Sequence, residues 1–243
     1  MSALVLAANP NFPTLSGRVV DQANILSPQS EAELAKNLEG LENGTTRQLV
    51  VVTVSSLDGL EIEDYGYQLG RAWGIGDSKR NTGVLLIVAP NERRVRVEVG
   101  YGLEGVLTDA LSSVILQELV LPKFRADDMA GGVLAGADGL IAQLSLPDEQ
   151  AKSRVDSVTQ AQTASDGAIP LGLIAILVLW VVFGLIGTVG GRKGHRADLW
   201  LLPLMLLTSR GGHGHGGGRM GGMGGGFSGG GGSFGGGGAS GGW

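Results

Sequence analysis

Apolar positions in residues 12–146 fall into two kinds of run. Residues 48–55 carry Leu49-Val50-Val51-Val52-Thr53-Val54, and residues 82–89 carry Val84-Leu85-Leu86-Ile87-Val88. Continuous apolar runs of this length fit strands buried on both faces. Around them the spacing is helical. Leu34, Leu38 and Leu41 mark one helix, opened by Ser27 as N-cap with Pro28 at the first position and closed near Gly44. Ile62, Tyr65, Leu69 and Trp73 mark a second. Leu111, Val114, Ile115 and Leu119 mark a third, capped by Thr108, with Pro122 beyond its end. Met129, Val133, Ala137, Leu140 and Leu144 mark a fourth. After a turn at residues 90–93, Arg94, Arg96 and Glu98 alternate with Val95, Val97 and Val99, which predicts an edge-like antiparallel strand with one wet face.

Strand, helix, strand implies a parallel pair joined by a right-handed crossover. The third strand turns back antiparallel. The expected fold class is α/β: a small mixed sheet with helices on both faces, an α/β/α sandwich over residues 12–146. Residues 147–168 turn polar and read as a flexible or weakly helical stalk. Residues 169–189 hold no charged residue and are long enough for one transmembrane helix. Arg192, Lys193, His195 and Arg196 follow, so the positive-inside rule puts that end in the cytoplasm and residues 12–146 in the periplasm. Residues 199–207 are apolar but too short to span and are interrupted by Pro203, which suits an interfacial segment. Residues 1–8 resemble the back half of a secretory signal. Residues 211–243 are a glycine-rich, low-complexity tail that is expected to be disordered.

Composition narrows the function. The chain has 243 residues, 44 of them glycine, no cysteine and a formal net charge of −5. An acidic chain has no electrostatic footprint for nucleic acid. Absent cysteine removes disulfides and zinc-thiolate sites and suits an exported protein. The three histidines, His195, His213 and His215, all lie beyond the α/β unit, so a Ser-His pair within it is impossible. Gly100-x-Gly102-x-x-Gly105 matches the letters of a dinucleotide fingerprint. It follows a hairpin rather than opening a βαβ unit, its helix starts only at Thr108, and Glu104 would oppose a pyrophosphate. No nucleotide is expected.

The loops suggest a cation instead. The antiparallel strand ends at the edge where the parallel strands begin, so Asp77 and Asn81 should lie near Glu104 and Asp109. The extended segment after Asp21 is long enough to bring Asp21 to the same rim. Asp21, Asp77, Asn81, Glu104 and Asp109 together would supply hard oxygen ligands for Ca²⁺. Each also has an ordinary reading: Asp21 as a turn residue, Asp77 as a solvated loop carboxylate, Asp109 as a complement to a helix dipole.

Four stretches carry a family resemblance: Gly17-Arg-Val-Val-Asp-Gln-Ala-Asn-Ile-Leu-Ser27, Trp73-Gly-Ile-Gly76, Asn81-Thr-Gly-Val-Leu-Leu86 and Val99-Gly-Tyr-Gly-Leu-Glu-Gly-Val-Leu-Thr-Asp-Ala110. With them the chain resembles the TPM-domain family, and its tail from Phe227 to Trp243 resembles the bacterial YgcG-like branch. The resemblance implies an α/β/α sandwich, an acidic cluster that holds calcium in some members, acid-phosphatase activity in some plant relatives, and repair or assembly roles elsewhere. On it, Asp21, Asn81 and Asp109 match family positions. The expected protein is a single-pass, inner-membrane accessory or assembly factor that contacts other membrane proteins, with its soluble domain in the periplasm. The alternative is a weak metal-dependent phosphatase using Asp21 and Asp109.

Overall fold

The computed structural model describes residues 11–166 and 230–243. Strands β1 (Val19–Asp21), β2 (Gln48–Thr53), β3 (Gly83–Ala89), β4 (Arg94–Gly100) and β5 (Phe234–Gly242) form one mixed sheet in the order β1-β2-β3-β4-β5. The first three are parallel; β4 is antiparallel to β3, and β5 antiparallel to β4. Helices α1 (Pro28–Thr45), α2 (Ile62–Trp73), α3 (Asp109–Ile115), α4 (Leu121–Arg125), α5 (Met129–Leu144) and α6 (Asp148–Asp166) cover the sheet. Alternation along β3 divides the core. Val84, Leu86 and Val88 meet Leu34, Leu38, Leu111, Val133 and Leu140 on one face. Leu85 and Ile87 meet Ile62, Tyr65 and Leu69 of α2 on the other.

Local chemistry sets the helix ends. Ser27 Oγ accepts the Ser30 amide at 3.1 Å, and Thr108 Oγ1 accepts that of Leu111 at 3.4 Å. Such caps satisfy amides that have no partner within the helix. The first helix runs one residue past Gly44 and closes on Thr46, in the left-handed region at φ 60°. After α3 a π-helical turn at Leu116–Val120 adds a residue to the repeat. It delays the buried stripe by one position: Leu116 and Val120 face the core, and Leu119, expected inward, is 39% exposed.

Three expectations are corrected. The stalk begins as part of the folded unit: Ala151 and Val155 of α6 are buried, and Arg47 donates to the carbonyls of Leu144 and Leu146 and pairs with Asp148. Strand β4 is not at an edge, and its charged face is not wet; Arg96 is 4% and Glu98 0% exposed. The end of the tail is not disordered. Residues 234–242 add a fifth strand along the whole length of β4. Glycine carries no hydrophobic alternation, so this strand is held by its ladder and by Phe234, whose ring is fully buried among the α2-side residues.

The membrane expectations at 1–8, 169–189 and 199–207 lie outside the described residues. Among the described residues no single helix is long and apolar enough to cross a membrane. With β5 in the same sheet as β4, residues 166 and 230 of one copy stand on the same side of any bilayer. A single crossing with the tail on the far side is incompatible with this sheet.

That constraint is open to a labelling test, because the chain has no cysteine of its own. Ser153→Cys and Ser233→Cys, both at exposed positions, will react with a membrane-impermeant maleimide from the same side of intact cells or vesicles. Labelling from opposite sides would refute it.

Candidate peptide-binding site at the sheet edge

Four of the five candidate ligands lie near the rim where β3 begins and β4 ends, and a strand of backbone already runs past them. The Asn81 side-chain Oδ1 accepts the Ser233 amide at 2.8 Å, and Asp109 Oδ1 accepts the Gly238 amide at 2.7 Å. Glu104 flanks the same strand: a Cβ on Gly237 would lie 3.1 Å from its Oε1. Asp77 turns inward on its own loop, where Oδ1 accepts the amides of Lys79 and Arg80 at 2.9 and 2.8 Å. Those two amides hold its carboxyl below the usual range. Its backbone forms an isolated antiparallel bridge with Gly231.

Asp21 is elsewhere. Parallel pairing sets Asp21 opposite Thr53, at the far end of β2 from Gln48. Its carboxylate accepts the amides of Ile25 and Leu26 at 3.1 and 2.7 Å and the Thr53 hydroxyl, shaping the turn into α1. It sits on edge strand β1, whereas Asp109 engages the opposite edge strand, β5. Four inter-strand spacings separate these edges, about 19 Å. Calcium ligands lie about 2.3–2.6 Å from one ion, so Asp21 and Asp109 cannot share a cation. Among the described residues no three Asp, Glu or His side chains are grouped as a metal would require. The five residues do not fit the expected calcium site.

The glycines of the fingerprint-like loop serve backbone contact. A Cβ on Gly102 would lie 1.7 Å from the Arg80 carbonyl oxygen, and one on Gly100 would lie 2.5 Å from that of Asn81. They let the β4 exit loop lie directly on the β3 entry loop, and the Gly102 amide bonds the Asn81 carbonyl at 3.1 Å.

What the rim and β4 build together is a slot for an extended chain. Upstream of β5, the amides of Gly231 and Gly232 donate to the Gly74 carbonyl at 2.7 and 3.1 Å, and Gly232 also reaches Gly76 at 3.0 Å. Phe234 then fills a pocket whose walls include two glycines: Cβ atoms on Gly70 and Gly83 would lie 2.8 and 3.0 Å from its ring. Gly235 lies against the Tyr101 ring, 2.3 Å from where its Cβ would be. Gly238 has φ +126°, and a Cβ there would stand 1.9 Å from the Val97 carbonyl oxygen; no other residue fits. At the far end Trp243 packs on Phe124 with ring centroids 4.4 Å apart.

Under this strand lies a buried ion pair that sequence reasoning placed in solvent. Arg96 Nε donates to Glu98 Oε2 at 2.6 Å, while its other nitrogens donate to Ser240 Oγ and the Gly236 carbonyl, both at 2.9 Å. Burial pushes the Glu98 carboxyl up to about 7, against the opposing pull of Arg96. Its Oε1 has no hydrogen-bond partner among the described residues. Nearby, burial raises Glu63, but a hydrogen bond from Ser240 and the charges of Arg96 and Arg94 outweigh it and leave that carboxyl lowered. Arg96 and Glu98 were missed because each reads as surface until β5 covers it; Tyr101, beside the strand, stays 54% exposed. The available signal was the pair of large aromatics, Phe234 and Trp243, in an otherwise small-residue tail.

Comparison with known proteins bears on residues 19–143. The TPM domain profile matches residues 19–143, and the chain belongs to that family. The solution structure of the N-terminal domain of a P. gingivalis protein is 36% identical with a TM-score of 0.50, covering 53% of this chain and 82% of that one. The N-terminal domain of a Corynebacterium glutamicum protein is 24% identical with a TM-score of 0.43, covering 59% and 88%. No curated protein matches the chain.

The raised Glu98 carboxyl has a signed consequence. A group whose folded pKa exceeds its unfolded value of about 4.5 stabilises the fold below that value, and the contribution is lost as pH rises to about 7. Glu98→Gln therefore flattens that part of the stability profile. Urea midpoints measured from pH 4.5 to 7.5 should show the native chain losing on the order of 2 kcal/mol relative to the variant across the window. Parallel profiles would show that Glu98 does not titrate there.

Proposed function

We propose that this TPM-domain protein is a non-enzymatic accessory or assembly factor of a bacterial envelope membrane, and that its domain works by holding an extended, glycine-rich segment along β4. One observation carries the reading. Asn81 and Asp109, two of the side chains that suggested chemistry, spend their acceptor oxygens on backbone amides of such a segment. Adding a strand to a sheet edge is a general mode of peptide recognition, with affinity from main-chain bonds and selectivity from side-chain pockets. Here the pockets receive Phe234 and Trp243, and the close approaches select glycine.

Support for the membrane is in the sequence: an uncharged apolar stretch at 169–189 followed by a basic cluster at 192–196. The proposal keeps that contact and the envelope location; with β5 seated on β4, it replaces the single pass by a chain that returns to the side on which it left. Other membrane proteins remain the expected partners.

The alternative, a metal-dependent acid phosphatase, comes from the family resemblance and required Asp21 and Asp109 to act together. The two assignments separate in an assay of phosphate-ester hydrolysis by the purified full chain, with and without divalent cations. The accessory reading predicts no turnover above a protein-free control. Metal-dependent turnover abolished by both Asp21→Asn and Asp109→Asn would overturn it.

A further inference from the structure

We infer that the β4 slot exchanges occupants, and that its partner is the glycine-rich tail of a second copy of this chain. The inference rests on the peptide-holding reading above and names the partner of that site.

Four features of the molecule argue for it. First, the seated segment is self-sufficient. Among the described residues, the contacts that place β5 are made by residues 230–243, from the Gly231 and Gly232 amides at the rim to Trp243 on Phe124. Second, the chain between α6 and β5 is long, running over residues 167–229. Nothing in the ladder distinguishes a strand arriving from its own chain from one arriving from a neighbour. Third, β5 is an added edge strand, the element most easily traded between identical protomers, because the exchanged contacts equal those given up. Fourth, the slot reads sequence, and the tail is a sequence that satisfies it. It requires glycine at 238, a ring at 234 and close backbone approach at 232 and 235. The tail holds this pattern in a heptad that occurs twice, Phe227-Ser-Gly-Gly-Gly-Gly-Ser and Phe234-Gly-Gly-Gly-Gly-Ala-Ser. Both heptads place glycine four residues after the phenylalanine. Only the second has glycine immediately after it, where a Cβ would stand 2.3 Å from the Tyr101 ring.

Because the contacts are the same in both arrangements, concentration decides between them. A tethered tail competes at an effective concentration set by the length of its connection. Copies gathered on one membrane surface, or at high total concentration, shift the balance toward exchange. The result is a dimer if two copies swap mutually, or an open chain if each passes its tail to the next.

Register supplies the test. Arg94 and Gly242 are opposed across β4 and β5 and both are exposed. Opposed antiparallel residues have Cα atoms about 4.5–5.5 Å apart, within the range a disulfide spans. A Cβ at Gly242 meets nothing closer than 3.3 Å, and the chain has no other cysteine to scramble the bond. Full-length Arg94→Cys and Gly242→Cys proteins are mixed in liposomes, then oxidised, with the double variant as an intrachain control. Exchange predicts a disulfide-linked pair containing one copy of each variant, absent when either is oxidised alone. Adding Gly238→Val to the Gly242→Cys copy should remove the link, and dilution by about tenfold should lower it by a similar factor. If the double variant closes within one chain but the mixture gives no linked pair, exchange is refuted and the cis site stands. If the double variant does not close either, the peptide-holding reading itself fails.

Discussion

The structure depends on covering β4. This strand carries Arg96 and Glu98 two residues apart, hence on one face, and both are buried. A buried ion pair is tolerated only where its remaining hydrogen-bonding capacity is met. Strand β5 meets much of it, through Ser240 Oγ and the Gly236 carbonyl on Arg96. The same strand pairs with the open edge of β4 and seats Phe234 under α2. Without it, a row of unpaired amides and carbonyls would face water beside a half-solvated charge pair. The covering strand must also be thin. Gly66 of α2 already gives way to Arg96, with a Cβ there only 3.1 Å from its side chain. Tyr101, the Val97 carbonyl and Glu104 crowd the strand from other sides. At Gly232 and Gly238, where a Cβ would lie 2.2 and 1.9 Å from backbone oxygens, this space admits only glycine.

A single physical fact thus explains features that look unrelated in the sequence. Residues 230–243 are glycine-rich because backbone, not side chain, makes most of their contacts. Their phenylalanine and terminal tryptophan act as anchors at either end of the strand. The rim residues Asn81 and Asp109 are acceptors aimed at amides. The elevated Glu98 carboxyl is the electrostatic cost of the covering.

Most of the sheet was legible. The runs at 49–54 and 84–88 are β2 and β3, and the Ser27 and Thr108 caps open helices where expected. Strong apolar periodicity and capping side chains are local signals, and local signals survive folding. What was not legible depends on distant partners. Arg96 and Glu98 alternate with valine as a solvent-facing stripe would, and nothing within β4 reveals a fifth strand arriving from residue 234. The low-complexity composition of that segment argued for disorder, because no hydrophobic stripe can be drawn through glycine. Asp21 was placed at the shared rim because an extended segment could reach it; parallel pairing of Val19–Asp21 with β2 carries it to the other end. For the site, sequence reasoning found Asn81, Glu104 and Asp109 near one another and assigned them to a cation; the amides that Asn81 and Asp109 accept lie more than a hundred residues away in the chain.

The family assignment gives the architecture, and the slot gives the chain a specific means of contact within it. The proposed accessory role calls for a surface that recognises a segment without transforming it. An edge strand over a buried charge pair, with one aromatic pocket and a steric requirement for glycine, is such a surface.

The most direct test of this account is amide hydrogen exchange along β4, comparing the native full chain with Gly238→Val, in which the tail cannot close. The account predicts that in the native chain the β4 amides bonded to β5 are protected nearly as well as those bonded to β3. In the variant, the β5-facing amides should exchange far faster while the β3-facing ones stay protected. Equal protection in the two proteins, or rapid exchange of the β5-facing amides in the native chain, would contradict it.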